Sequence, residues 1–244
     1  MFCWIWNCLI GCVEVKEVRE IFDRDIRVTV LGNTGVGKTT LIERMKGTKV
    51  KKILSRKTLD INVEEKRIRL RSSNIYPWYN PEYWRRYRIL SIDNPGDYKL
   101  RRKWREAMRI FKTDGMLFLL DPQQSFEVQR AAMEDSYNYF LDSLDLDPDR
   151  ADQKALETKY IFHFVVNKCD TLLSDGANKN NFKITAPVKE RAVEFLSSFA
   201  ETMDEFKSTF PSSKFGITYL SAIYSPYRAV DKLFEVLKVY LYQT

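Results

Sequence analysis

The chain has 244 residues and a mass of 28.9 kDa, room for one well-filled α/β domain with additions or for two small domains. Apolar residues make up 44% of it and charged residues 30%, a balance that excludes wholesale disorder. The formal charge of +7 admits an acidic protein surface, an anionic lipid or a nucleic acid as partner and selects none of them.

At the N-terminus the apolar stretch Met1–Val13 is shorter than the roughly 18 to 20 residues that span a bilayer. It also lacks the leading basic residue and the small cleavage-site residues of a signal peptide. As a helix it would set Phe2, Ile5, Trp6, Leu9 and Val13 along one stripe. With Trp4, the residues Phe2, Ile5, Trp6 and Leu9 are the expected contacts of an interfacial helix, since aromatic rings favour that depth. The competing readings are folding back onto the domain as ordinary core and a disordered hydrophobic end. Cys3, Cys8 and Cys12 crowd this segment while Cys169 stands alone, which reads as a reduced, intracellular setting and not as a disulfide framework. Cys8 and Cys12, one turn apart, are candidates for acylation. Metal binding by the first three is disfavoured, because the single histidine, His163, lies elsewhere and reads as a packed or edge side chain. Residues 1–25 are thus expected to be a membrane-contact segment ahead of one domain over 26–244.

Ile26–Leu31 reads as a buried strand, and Leu41, Ile42 and Met45 predict a helix from Lys38 to about Lys46. Residues 47–60 read as loop. Further strands are expected at Ile61–Leu70, Arg88–Asp93, Gly115–Asp121, Tyr160–Asn167 and Ile217–Leu220, with helices over 99–112, 124–144, 187–207 and 227–242. Such alternation is the pattern of a parallel sheet covered on both faces. The aromatic, turn-rich stretch 72–84, the acidic stretch 142–154 and the Asn- and Lys-rich stretch 173–186 read as surface insertions.

Between the first strand and the first helix lies Gly32-Asn-Thr-Gly-Val-Gly-Lys38-Thr39, a phosphate-binding loop in its confirming context. Glycines let backbone amides curl round phosphates, and the helix N-terminus adds a favourable dipole. Asn33, Thr34, Gly35, Val36, Gly37, Lys38, Thr39 and Thr40 are the expected phosphate-side residues. Lys38 would reach the β- and γ-phosphates and the Thr39 hydroxyl would ligate Mg²⁺.

The base is chosen by Asn167-Lys-Cys-Asp170 after an apolar strand. Asp170 can accept from the guanine N1–H and amino group together, whereas adenine would leave it unpaired at a cost of roughly a few kcal/mol. Asn167 would hold the loop and touch the base, and the Lys168 stem would cover the ring. Ser221-Ala222-Ile223 would complete the pocket, with the Ala222 amide offered to the guanine carbonyl. Asp93-Asn-Pro-Gly96 supplies a second Mg²⁺ residue, Asp93, and an amide for the γ-phosphate at Gly96. Thr48 and Thr58 compete as the remaining Mg²⁺ threonine; Thr58 is preferred because it directly precedes the strand that pairs back towards Asp93.

These motifs resemble the Ras-like small GTPases and, within them, the Arf/Sar branch. Thr58-Leu-Asp-Ile-Asn-Val-Glu64, the basic residues and Trp104 after Asp93-Asn-Pro-Gly96, and Gly115-Met-Leu-Phe-Leu-Leu-Asp121 carry the narrower likeness, over about residues 26–242. The resemblance implies a P-loop GTPase domain: a mostly parallel six-stranded sheet with one antiparallel strand and helices on both faces. It also implies GTP or GDP with Mg²⁺, hydrolysis of GTP, and an exchange factor, an activating protein and effector or coat proteins as partners. The place it implies is the cytoplasmic face of an endomembrane. Phe2 excludes N-myristoylation, so the N-terminus is closer to the Sar members. Where the family carries Gln or His to position the attacking water, this chain has Asp97, and slow intrinsic hydrolysis is expected. Lys38, Thr58, Gly96 and Asp97 are therefore the candidate catalytic residues. Two other readings stand beside the membrane switch: a GTP-bound scaffold with little hydrolysis, and an RNA- or ribosome-linked GTPase. Nucleic-acid binding is disfavoured, since no RNA module is recognisable.

Overall fold

The computed structural model describes residues 23–45, 61–69, 86–144, 158–173 and 182–226, together with Val230 and Leu233. In chain order the elements are β1 (Asp23–Leu31), α1 (Lys38–Met45), β2 (Asn62–Arg69), β3 (Arg86–Asp93), a 3-10 turn (Tyr98–Leu100) and α2 (Arg102–Phe111). There follow β4 (Gly115–Leu120), α3 (Phe126–Ser143), β5 (Ile161–Val166), a second 3-10 turn (Cys169–Leu172), α4 (Ala186–Ser197), α5 (Ala200–Thr209) and β6 (Lys214–Tyr219). The chain divides into two compact units, residues 1–26 with 65–90 and residues 27–64 with 91–244. Of the first, the described backbone is the start of β1, the end of β2 and the start of β3. All the described helices belong to the second.

The six strands form one sheet in the order β2-β3-β1-β4-β5-β6. Register is defined for β1 with β4, β4 with β5 and β5 with β6, and all three pairings are parallel. The single antiparallel strand expected from the sequence is not seen among them. Every residue of β4 and β5 is buried, which is why these strands read as apolar runs, broken only by His163 in β5: helices cover both faces of a parallel sheet. Chain order reverses at β1, which lies between β3 and β4. The crevice at the carboxyl end of such a strand is where open α/β sheets hold their ligands, and here the phosphate-binding loop leaves β1.

Helix α3 buries Gln129, Ala132, Met133, Ser136, Tyr137, Phe140 and Leu141, one helical stripe. Its Phe140 meets Phe162 of β5 and Phe210 edge-on, with ring centres 5.1 and 5.5 Å apart, and Phe206 of α5 joins the cluster against Phe162 at 5.2 Å.

Two helix expectations are corrected. The stretch 187–207 is not one helix but α4 and α5, broken at Ser198–Phe199. Phe199 leaves helical geometry (φ −101°, ψ 6°) and its buried ring packs against Phe126 and Phe195 at 4.9 and 5.3 Å, so aromatic burial sets the break. The stretch 99–112 is divided likewise, into a 3-10 turn and α2 with Arg101 between them. Strand β6 begins at Lys214 and β1 at Asp23, each three residues earlier than the apolar pattern alone suggests. Of the expected helix 227–242, Val230 and Leu233 are helical and buried. The insertion 72–84 lies outside the described residues, as do most of 142–154 and 173–186.

Candidate nucleotide-binding site

The loop after β1 turns on glycines because side chains cannot fit where it bends. Gly37 has φ +95°, and a Cβ on it would fall 2.4 Å from Asn167 Nδ2. That Asn167 amide donates to the Val36 carbonyl at 2.6 Å, so the base-side loop braces the phosphate-side loop directly. Lys38 opens α1, and its ammonium folds back over the loop to donate to Gly32 O at 2.8 Å and Asn33 O at 3.0 Å. The Thr39 hydroxyl donates to Asp93 Oδ2 at 2.7 Å, which brings the two proposed metal residues together from β3 and α1. A hydroxyl and a carboxylate oxygen adjacent to a phosphate cradle are a donor set that fits Mg²⁺, a hard cation that takes oxygen ligands. When bound there, Mg²⁺ would neutralise phosphate charge. Thr40, next along α1, is half-buried.

Gly96 sits against this loop with no room to spare. A Cβ there would lie 2.4 Å from both Asn33 C and Thr34 N, and the Thr34 amide donates to Gly96 O at 3.1 Å. Pro95 O is fixed by the indole N–H of the buried Trp104 at 2.6 Å. Asp97 accepts from the Lys99 amide at 3.1 Å and so caps the 3-10 turn that follows.

Burial lowers the Lys38 pKa from 10.5 to about 8; the Asp93 carboxylate opposes this and the Arg101 charge adds to it. Phosphates beside the ammonium favour its charged form, so binding takes up a proton wherever the lysine alone is neutral. Nucleotide affinity is therefore expected to be flat below pH about 8 and to fall above it. One proton sets a limit of about tenfold per pH unit. The folded state by itself runs the other way: Lys38 holds its stability down below pH about 8 and releases that penalty as pH rises towards 10.5. Binding titrations at pH 7 and 9 test the first expectation, and equal affinities would refute it.

On the base side, Asn167 is the hub. Its Oδ1 accepts from the Ala222 amide at 2.8 Å while its Nδ2 holds Val36 O. The Ala222 amide, expected to face the guanine carbonyl, is thus engaged with Asn167. Lys168 adopts a left-handed conformation (φ +55°), and its ammonium is anchored on the buried Asp121 carboxylate at 2.6 Å, which stretches its stem along the loop. Asp170 is buried in the second 3-10 turn. Ser221 is buried and accepts from the Tyr224 amide at 3.1 Å. Ile223 is exposed, but its carbonyl and that of Ser225 are held by Arg44 of α1 at 3.1 and 2.6 Å. The helix that follows the phosphate loop therefore also carries the base-side turn.

The residues 23–243 match the family described as Elongation factor Tu GTP binding domain. The chain belongs to this family. It is accordingly a P-loop GTPase domain, and it binds GTP; members of the family bind GTP or GDP, usually with Mg²⁺. The Arf/Sar branch is a different family from the one matched. Among curated proteins none matches the chain.

In this elongation-factor-type domain hydrogen bonds join Thr39 to Asp93, the phosphate loop to Gly96, Val36 to Asn167, Asn167 to Ala222, and Arg44 of α1 to Ile223. Thr40, Asp97, Asp170 and Ser221 lie on the same or adjoining turns. Thr58, with its rival Thr48, lies outside the described residues, as do Phe2, Trp4, Ile5, Trp6 and Leu9. Four residues with site roles were not predicted: Asp121 under Lys168, Gln124 donating to Thr34 O at 2.8 Å, Arg44, and Arg101 against Asn33. Asp121 had a signal, a carboxylate ending an apolar strand, but its partner is 47 residues away. His163 is packed, as expected: it bonds Thr218 Oγ1 at 2.8 Å, and burial lowers its pKa to about 4, so it is neutral at physiological pH. Cys169 is buried with its thiol pushed up to about 12, which makes it unreactive.

Proposed function

We propose that this domain is a GTP-operated switch that hydrolyses GTP slowly and recruits effectors to a membrane surface in the manner of the Arf/Sar proteins. The observation that carries the reading is the seating of Gly96 on the phosphate loop, with Asp97 committed to capping the turn behind it. A γ-phosphate arriving beside the Gly96 amide acts on the same backbone that positions this turn. That is the physical requirement for an ordered–disordered switch.

Asp97 makes the hydrolytic step slow in this reading. A carboxylate near the γ-phosphate repels it and donates no hydrogen bond to the attacking water. Asp97→Gln is expected to raise single-turnover hydrolysis by about tenfold or more, since Gln offers both a donor and an acceptor. A wild-type rate equal to that of the variant would sink the idea. The variant also gives up a charged cap, for which a stability loss of about 1 kcal/mol is expected.

The same capping contact favours a second reading, in which GTP stays bound and the domain acts as a scaffold. Nucleotide content after purification separates the two: mostly GDP supports turnover, whereas stoichiometric GTP supports the scaffold. Around the turn, Lys99, Arg102, Arg105 and Arg109 are exposed, a surface suited to an acidic effector or an anionic lipid headgroup. An exchange factor, an activating protein and a cytoplasmic endomembrane site complete the proposal. Nucleotide-dependent binding to anionic liposomes would support it over salt-sensitive binding to RNA.

A further inference from the structure

Arg101 does not follow its exposed basic neighbours into solvent. It stands between the 3-10 turn and α2, and its side chain is only 8% exposed. One terminal nitrogen donates to Asp135 Oδ2 on α3 at 2.6 Å, and the other donates to Asn33 Oδ1 of the phosphate loop at 2.8 Å. The guanidinium also lies 5.7 Å from the centre of the Trp104 ring. The segment that begins at Gly96 therefore touches the phosphate loop twice. One contact is the main-chain bond from Thr34 to Gly96; the other is a buried, charge-assisted hydrogen bond between side chains.

We propose that Arg101 is a positioning residue that couples the γ-phosphate to the placement of residues 96–101, with Asn33 as its acceptor on the phosphate loop and Asp135 as its anchor. This rests on the switch reading above. Three features support a role beyond packing. The two acceptors, on two different elements, are met by two separate terminal nitrogens, a spread that the planar guanidinium fork spans and the single nitrogen of a lysine does not. Burying a guanidinium costs several kcal/mol before pairing, and apolar side chains of the same volume would fill the space without that cost. Moreover, Asn33 Nδ2 and Arg101 Nε are buried with no hydrogen-bond partner among the described residues, a penalty that an apolar filler avoids. The cluster is thus poor as cement. Its hydrogen bond to the phosphate loop at Asn33 suits it to transmit the presence of the phosphates.

The test compares affinities for labelled GDP and a labelled non-hydrolysable GTP analogue, with tryptophan emission recorded in both states; Trp104→Phe identifies the part of the emission that comes from Trp104. Arg101→Lys and Asp135→Asn are expected to weaken the GTP analogue, the former by about tenfold, while GDP binding stays within about twofold. Arg101→Lys also removes the difference in Trp104 emission between the two nucleotides. Adding Asn33→Ala to Arg101→Lys should cost little more for the GTP analogue than Arg101→Lys alone, because both remove one interaction. Equal losses for both nucleotides, additive losses or no loss would each overturn the proposal. Should Arg101→Lys fail to fold, Asp135→Asn still decides it by the same comparison. A wild type whose emission does not distinguish the nucleotides would refute the switch reading itself, and this proposal with it.

Discussion

Asp170→Asn is expected to lower affinity for GTP by about two orders of magnitude and to make xanthosine triphosphate the better ligand. A carboxylate accepts twice, from the guanine N1–H and from the amino group. An asparagine accepts once and presents an amide N–H₂ where guanine also presents N–H₂, so two donors face each other. Xanthine carries a carbonyl at that position, and the asparagine donor then has a partner. Because Asp170 is buried in its turn, water cannot relieve the mismatch, and the penalty is that of an unpaired buried group. Competition between the two nucleotides for the wild type and the variant measures the inversion. Unchanged preference would remove Asp170 from base recognition and leave the turn after β5 without its assigned role.

Lys38→Met is expected to reduce nucleotide affinity by at least about a hundredfold, the loss of charge-assisted bonds to two phosphates. The folded protein should respond in the opposite direction. The drop in pKa from 10.5 to about 8 means that the site holds about 3 kcal/mol against the charged ammonium. Methionine keeps the volume of the stem and removes that charge. Thermal denaturation in the absence of nucleotide should therefore show a melting temperature unchanged or raised, while binding is lost. A variant that is both destabilised and binding-deficient would point to a structural lysine whose carbonyl contacts at Gly32 and Asn33 matter more than its charge. This pairing of an unfavourable buried charge with function is the usual trade between stability and activity at a site.

The nucleotide site was legible to the extent that its parts are contiguous. Gly32 to Thr39 declares itself by spacing because consecutive amides are what a phosphate cradle needs, and Asn167 to Asp170 does so because one short turn holds both the brace, Asn167, and the carboxylate assigned to the base. The same holds for Asp93 and Gly96 at the end of β3. What the residues do to one another was not legible. Asn167 was expected to hold the loop and touch the base; its side-chain amide reaches Val36 and receives Ala222, 131 and 55 residues away, partners that no local pattern names. The Ala222 amide, assigned to the base from its place after the last strand, meets Asn167 because the parallel pairing of β5 with β6 brings the two strand ends together.

The helices show the same division. Periodicity located α1, α2 and α3 because each has a single apolar face, but it joined α4 to α5, whose apolar spacing continues across Ser198 and Phe199. Only the demand to bury the Phe199 ring between Phe126 and Phe195 breaks the run. Arg101 is the strongest case. In sequence it is one of several basic residues after Gly96, with nothing local to set it apart. Its partners lie 34 and 68 residues distant, and burial separates it from Lys99 and Arg102 on either side. By itself the sequence determined the ligand class, since the contiguous motifs carry enough local backbone geometry and side-chain chemistry for that. Only the tertiary structure decided which charges are buried and what they are coupled to, because a hydrogen bond between distant residues exists only once the sheet has set their separation.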